Sequence, residues 1–144
     1  MFLGEFTHTL DDKGRLTIPS KFREQLEHGL VVTRGLDGCL FLFTHQDWNE
    51  LTKILSERLP FTQKSARDLA RFFFSGAVDT SSDRQGRVLL PSFLREYANL
   101  ESEVVIIGAN SRIELWNPER WQASLSDVES NAEMIAEQFG NITF

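Results

Sequence analysis

Cysteine is almost missing. Cys39 is the single one among 144 residues, so no disulfide can form within the chain and a disulfide-stapled secreted scaffold is excluded. No apolar run approaches the roughly 18 residues that span a membrane. Residues 1–10 carry Glu5 and His8 where a signal peptide would be basic and then apolar. The three histidines, His8, His28 and His45, are isolated and lack metal-ligand spacing. Asp11, Asp12, Asp79 and Asp83 could pair for acid–base work, but no nucleophile–base–orienter set accompanies them. No catalysis, cofactor, metal or small-molecule substrate is therefore expected. Cys39 lies in an apolar stretch and reads as a small core residue. Basic residues are outnumbered, 15 against 21 acids, for a net charge of −6. Taken alone, that argues against a nucleic-acid binder. What the chain has is 41% hydrophobic residues, enough for a real core. A soluble cytoplasmic protein of one domain, or two very small ones, is expected.

The charge is unevenly spread, and local potential is what steers binding. Residues 13–23 hold Lys13, Arg15, Lys21 and Arg23 with no acid, and 84–95 hold Arg84, Arg87 and Arg95 with none. Towards the C-terminus, Glu119, Asp127, Glu129, Glu133 and Glu137 face only Arg120. The two basic segments are copies of each other. Residues 11–23, DDKGRLTIPSKFR, return as 83–95, DRQGRVLLPSFLR, at an offset of 72. The Asp, Gly, first Arg, Pro, Ser and final Arg are identical. After a slip of one residue the likeness continues through 31–35 and 104–108 to Trp48 and Trp121, at an offset of 73. Matches that keep their order over so long a stretch mean a duplicated unit.

Each copy predicts the same series of elements. A strand (5–9, 76–79) leads to a polar loop ending in Gly14 or Gly86, where glycine permits a turn other residues resist. A short apolar strand follows (15–18, 87–90). Pro19 or Pro91 then stops the strand and opens a helix (20–27, 92–98). Next comes a hairpin, with strands 30–34 and 39–43 around Asp37-Gly38 in the first copy and 104–109 and 112–116 around Asn110-Ser111 in the second. A helix closes each copy. Thr44 with Asp47 suggests a capping box ahead of Trp48, Leu51 and Leu55; Asn117 suits an N-cap and Pro118 the first helical position. Pro60 interrupts, and a linking helix is predicted over about 63–74. The tail, 126–138, predicts a helix with Ser126 and Glu129 as cap signals and Val128, Ala132, Ile135 and Phe139 on one stripe. The organisation is thus a first repeat at 5–47, linking helices at 48–76, a second repeat at 77–120 and a C-terminal helix at 121–144. Neither repeat offers enough strands to hide its own edges. The fold class expected is α+β: a pseudo-two-fold β-barrel closed by both repeats, with helices around it.

The loop Asp11-Asp12-Lys13-Gly14-Arg15 is the most informative segment. A tight turn there lifts Lys13 and Arg15 onto one rim, where arginine suits bidentate contact with phosphate or guanine. Asp11 can simply tie the turn by pairing with Arg15, and the same pairing can orient Arg15. These residues, with the opening Met1-Phe2-Leu3-Gly4-Glu5-Phe6 and the Pro19-Ser20-Lys21-Phe22-Arg23 continuation, resemble the first domain of the MraZ family, and 83–95 resembles the second. MraZ proteins are bacterial transcription regulators with two tandem SpoVT/AbrB-type domains sharing an Asp-x-x-x-Arg motif, and the resemblance covers essentially the whole chain.

The resemblance implies a swapped-hairpin, double-psi-like barrel, assembly into a homo-oligomeric ring, and a nucleoid-associated repressor. It implies binding of direct repeats of a short G-rich element upstream of the cell division and cell wall gene cluster. Asp11, Gly14 and Arg15, then Asp83, Gly86 and Arg87, occupy the motif positions. Lys13, Arg15, Lys21, Arg23, Arg84 and Arg87 are the expected contacts to double-stranded DNA. Gln85 stands where Lys13 would be, so the first repeat is expected to grip DNA more strongly. Four phosphate contacts per subunit give only a modest, salt-sensitive affinity, which several subunits on a ring would raise by roughly 10²–10⁴. Phe72, Phe73 and Phe74 could supply a ring interface, although core packing is expected for at least two of them. The rival reading is a non-catalytic, antitoxin-like interaction protein that uses its acidic tail helix.

Overall fold

The computed structural model describes residues 1–143. The strands are β1 (Phe2–Thr9), β2 (Arg15–Thr17), β3 (Leu30–Arg34), β4 (Leu40–Phe43), β5 (Val78–Thr80), β6 (Arg87–Leu89), β7 (Glu103–Asn110) and β8 (Ile113–Trp116). The helices are α1 (Ser20–Arg23), α2 (His45–Arg58), α3 (Lys64–Ser75), α4 (Ser92–Ala98) and α5 (Pro118–Glu137). Six strands form one antiparallel sheet in the order β1-β7-β8-β4-β3-β5, and β2 pairs with β6 in a separate two-stranded ribbon. Exchanging β1 with β5, β3 with β7 and β4 with β8 returns the same order. The duplication is therefore a pseudo-two-fold axis, running between β4 and β8 and through the ribbon.

The repeats share strands. β1 of the first pairs with β7 of the second, and β5 of the second pairs with β3 of the first. The α+β class stands, but the expected closure of a barrel does not. The six-stranded sheet is open, with β1 and β5 outermost among the described residues. What joins sheet and ribbon is a bridge between Leu10 and Leu16. Two further bonds tie the repeats together symmetrically: Ile18 N–H donates to Gly86 O at 2.9 Å, and Leu90 N–H to Gly14 O at 2.8 Å.

Strand alternation sorts the side chains onto two cores. Leu40 and Leu42 of β4, Ile113 and Leu115 of β8, and Val104 and Ile106 of β7 face the ribbon, where Leu16 and Val88 are fully buried with Phe22 and Leu94. Phe41, Phe43, Val105 and Trp116 face the other way, and α2, α3 and the start of α5 cover them through Trp48, Leu51, Leu69 and Trp121. Cys39 is buried there and free. Phe73 is buried with its ring 6.4 Å from that of Phe41, Phe72 is half-buried and Phe74 is exposed.

Local chemistry sets the element ends. Gly35 N–H donates to Cys39 O at 2.8 Å, so the hairpin turns through Leu36, Asp37 and Gly38, the last two with positive φ (66° and 76°). Thr44 Oγ1 accepts from Asp47 N–H at 3.1 Å, but its own hydroxyl donates to the Asp47 carboxylate at 3.2 Å, so the predicted box is closed on one side only. Asn117 Oδ1 accepts from the N–H groups of Glu119 and Arg120, with Pro118 following as predicted. α5 is then one continuous helix, so Ser126 and Glu129 lie inside it and cap nothing. The expected tail span of 121–144 also includes Phe144, which lies outside the described residues. The first short helix tightens into a 3-10 turn at Glu24–Leu26, whereas α4 stays helical to Ala98 and ends on left-handed Asn99 (φ 54°). Both stretches are seven residues long, so the shift in offset from 72 to 73 falls in the connections that follow, 27–29 before β3 and 99–102 before β7. Strand β1 begins at Phe2 rather than residue 5. β5 begins at Val78 because Gly76 still caps α3.

Candidate nucleic-acid interface

The two Asp-x-x-x-Arg turns feed the same ribbon from opposite ends. Arg15 pairs with Leu89, Leu16 with Val88, and Thr17 with Arg87. Because sides alternate, Leu16 and Val88 point into the core while Arg15, Thr17, Arg87 and Leu89 form the outer face. Leu89 is 54% exposed, an unusual place for a leucine on a three-residue strand.

Both turns are tied identically. Asp11 Oδ1 accepts from Lys13 N–H at 3.0 Å and Arg15 N–H at 2.9 Å, and Arg15 Nε donates to Asp11 Oδ2 at 2.7 Å. Asp83 Oδ1 accepts from Gln85 and Arg87 N–H, both at 2.9 Å, and Arg87 Nε donates to Asp83 Oδ2 at 2.9 Å. Gly14 and Gly86 hold left-handed φ of 81° and 76° at the tips. Chiefly through the backbone N–H of Arg15, and with help from its guanidinium, the Asp11 carboxyl is held below the ordinary carboxylate range; Arg87 does the same for Asp83. The carboxylates thus stay ionised and hold each arginine by Nε. The terminal guanidine nitrogens of both arginines donate no hydrogen bond among the described residues. Across the ribbon, Arg87 Nη1 stands 4.0 Å from Asp11 Oδ2. Turn-tying and arginine-orienting are therefore a single arrangement.

Of the other predicted residues, Lys13 and Arg84 lie exposed in the turns, and Lys21 lies exposed on α1. Arg23 is tied down more firmly. Its Nε donates to Ile18 O at 2.9 Å, and its guanidinium lies over Gly86 of the other repeat, where a Cβ would collide with it. Arg95, which was not among the expected contacts, is its pseudo-two-fold mate. Arg95 Nε donates to Leu90 O at 2.9 Å, and the guanidinium stands 3.0 Å from where a Cβ on Gly14 would be. The signal was available, since Arg95 repeats Arg23 at the offset of 72. Each repeat's turn is thus roofed by an arginine of the other. Seven cationic side chains in all gather around the ribbon and its turns in a chain of net charge −6.

Residues 1–72 and 73–141 each match the family described as "MraZ protein, putative antitoxin-like". The chain belongs to the MraZ family. Relatives named Transcriptional regulator MraZ agree along nearly its whole length. The protein of Halothermothrix orenii is 52% identical over 136 residues, 94% of each chain. That of Moorella thermoacetica is 50% identical over 138 residues, 96% of each. That of Roseiflexus castenholzii is 49% identical over 144 residues, the full length of both. The family boundary at residue 72 falls within α3, while the MraZ repeats as folded units exchange strands across it. Among the described residues no helix is long and apolar enough to cross a membrane.

Proposed function

We propose that this chain is a sequence-specific DNA-binding transcriptional regulator, a repressor, that lays the β2–β6 ribbon against duplex DNA. One observation carries the reading: two carboxylate-held arginines, Arg15 and Arg87, stand side by side on the outer face of an exposed two-stranded ribbon. The major groove admits such a ribbon, and a guanidinium with free terminal nitrogens is suited to O6 and N7 of guanine. The Leu89 side chain can meet a thymine methyl. Lys13, Arg84, Lys21 and Arg23 flank the ribbon as phosphate contacts, which fix register without reading sequence. The shared-strand pattern supports a swapped-hairpin, double-psi-like ancestry for the architecture, even though its sheet is open. The names of the relatives support transcriptional regulation.

The favoured target is a set of direct repeats of a short G-rich element before the cell division and cell wall genes, bound by a homo-oligomeric ring on the nucleoid. Few cations per subunit give weak, salt-steep binding, and linked copies on successive repeats convert it into firm occupancy. Fluorescence anisotropy with repeat-bearing and scrambled duplexes at about 50 and 200 mM salt tests this. Selective, salt-dependent binding is expected. Arg15→Ala is expected to abolish the selectivity with an unchanged circular dichroism spectrum, and Arg87→Ala to weaken it less, because Gln85 stands where the first turn has Lys13. Normal binding by a folded Arg15→Ala protein overturns the ribbon reading. Equal losses overturn the asymmetry. No binding at low salt favours the interaction-protein alternative.

A further inference from the structure

We propose that Leu89 gives the DNA site its direction: it takes a thymine methyl beside Arg15, and Thr17 makes no equal contact beside Arg87, so a non-palindromic element is bound one way round. The inference deepens the ribbon reading above and rests on it.

The two halves of the ribbon hold the same arginines. Arg15 corresponds to Arg87 and Arg23 to Arg95, and each is held through its Nε in the same way as its mate. Duplex DNA has two-fold axes of its own across its grooves, which is why palindromic sites mirror two-fold proteins. A ribbon reading only through Arg15 and Arg87 would fit a site equally well after rotation by half a turn. Direction has to come from corresponding residues that differ and also reach the bases.

The differences between the copies narrow this to one pair. Leu16 and Val88, Ile18 and Leu90, and Phe22 and Leu94 differ, but all are buried in the core. Asp12 and Arg84, and Lys13 and Gln85, differ in the turns; Lys21 and Phe93 differ on α1 and α4. These positions flank the ribbon, where contacts go to phosphates, and phosphates carry no sequence information directly. Thr17 and Leu89 remain. Both stand on the outer face, where Arg15 lies opposite Leu89 and Thr17 opposite Arg87.

Register brings each of these residues close to an arginine. Leu90 N–H donates to Gly14 O and Ile18 N–H to Gly86 O, so the two outer pairs fall between such bonds. Facing side chains come closest at these positions. Leu89 therefore reads beside whatever base Arg15 reads. Its isobutyl group is 54% exposed and has no donor or acceptor. Against a thymine methyl it buries apolar surface; against the amino group of cytosine or adenine it leaves a polar edge without a partner. Thr17 is shorter and half-buried, and a threonine hydroxyl serves either kind of base edge. Leucine selects where threonine tolerates.

Selection from a randomised duplex library, followed by sequencing, reads the direction. Wild type is expected to enrich a motif that is not its own reverse complement, with a thymine next to the guanine that Arg15→Ala no longer selects. Leu89→Thr is expected to lose the thymine and give a motif symmetric about its centre. Thr17→Leu is expected to gain a second thymine at the symmetry-related position. Both substitutions lie on the outer face, and circular dichroism checks the fold. A second measurement needs no variant. In a duplex carrying one copy of the wild-type motif, uracil in place of that thymine removes only the methyl. Wild-type binding is expected to weaken about fourfold, the worth of one buried CH₂-sized group, and binding by Leu89→Thr to weaken less. A palindromic wild-type motif, an unchanged motif in Leu89→Thr, or no loss with uracil overturns the inference. If any of these occurs while Arg15→Ala still abolishes selectivity, the ribbon reading survives without it. A wild type that enriches no motif overturns both.

Discussion

Asp11 and Asp83 do two jobs with one carboxylate. One oxygen accepts two backbone N–H groups and shapes the turn, and the other holds Nε of the arginine four residues on. Both carboxyls titrate below the ordinary value of 3.8, led by the backbone N–H of Arg15 or Arg87. A depressed folded value means the ionised form favours the fold. The tie is therefore fully present above about pH 4 and is lost as pH falls through the lower folded value. Carboxyl-carbon NMR titration should place both midpoints under 3.8; a midpoint at or above it would show that the tie is not made in solution. The glycine at the tip matters for a different reason. Gly86→Ala would strain a φ of 76° and push Arg23 off its seat, at a cost of about 1–3 kcal/mol. Gly14→Ala, with Arg95 standing at 3.0 Å, is the milder change. Thermal melts of the two variants check the ranking.

At the scale of elements, the ribbon is the smallest and most dependent piece. Three residues per strand cannot sustain a free hairpin, so its rigidity comes from the core beneath it. Leu16 is fully buried there, and Leu16→Ala is expected to cost about 2–5 kcal/mol and to weaken DNA binding by loosening the arginines above it. Urea melts and anisotropy on the same sample check both halves. Most elements could be read from the residues: Asp37-Gly38 marked a hairpin, Asn117-Pro118 a helix start, and Gly14 and Gly86 the turns. Strand partners could not. A strand's own residues record its alternation but not which distant strand it meets, so the pairing of β1 with β7 was invisible. The unbroken run of α5 was also missed. Ser126 looks like a cap, but nothing in the fold turns the chain there and Asn117 already caps the helix. At the site, the Asp–Arg tie was legible as an i, i+4 pair. The roofing roles of Arg23 and Arg95 needed the packed repeats, because each acts on the other copy.

At the scale of the molecule, neither repeat owns a complete sheet. A fragment ending at residue 72 keeps β3 and β4 but loses β7 from β1, β5 from β3 and β6 from β2. Expressed alone, it should give a collapsed amide NMR spectrum and no cooperative melt; adding a fragment of residues 73–144 should restore dispersion. A well-dispersed spectrum from the first fragment alone would show that strand exchange is dispensable. The same exchange sets a timetable on the ribosome. The first strand emerges early, but its neighbour in the sheet lies about a hundred residues later, a delay of roughly 5–20 s at about 5–20 residues per second. Until then Phe2 and Phe6 have no β7 beside them, and the nascent chain presents greasy side chains that invite chaperone attention. Slow translation near residue 100 would lengthen that exposure, so codon choice in the second half governs how safely the first half waits.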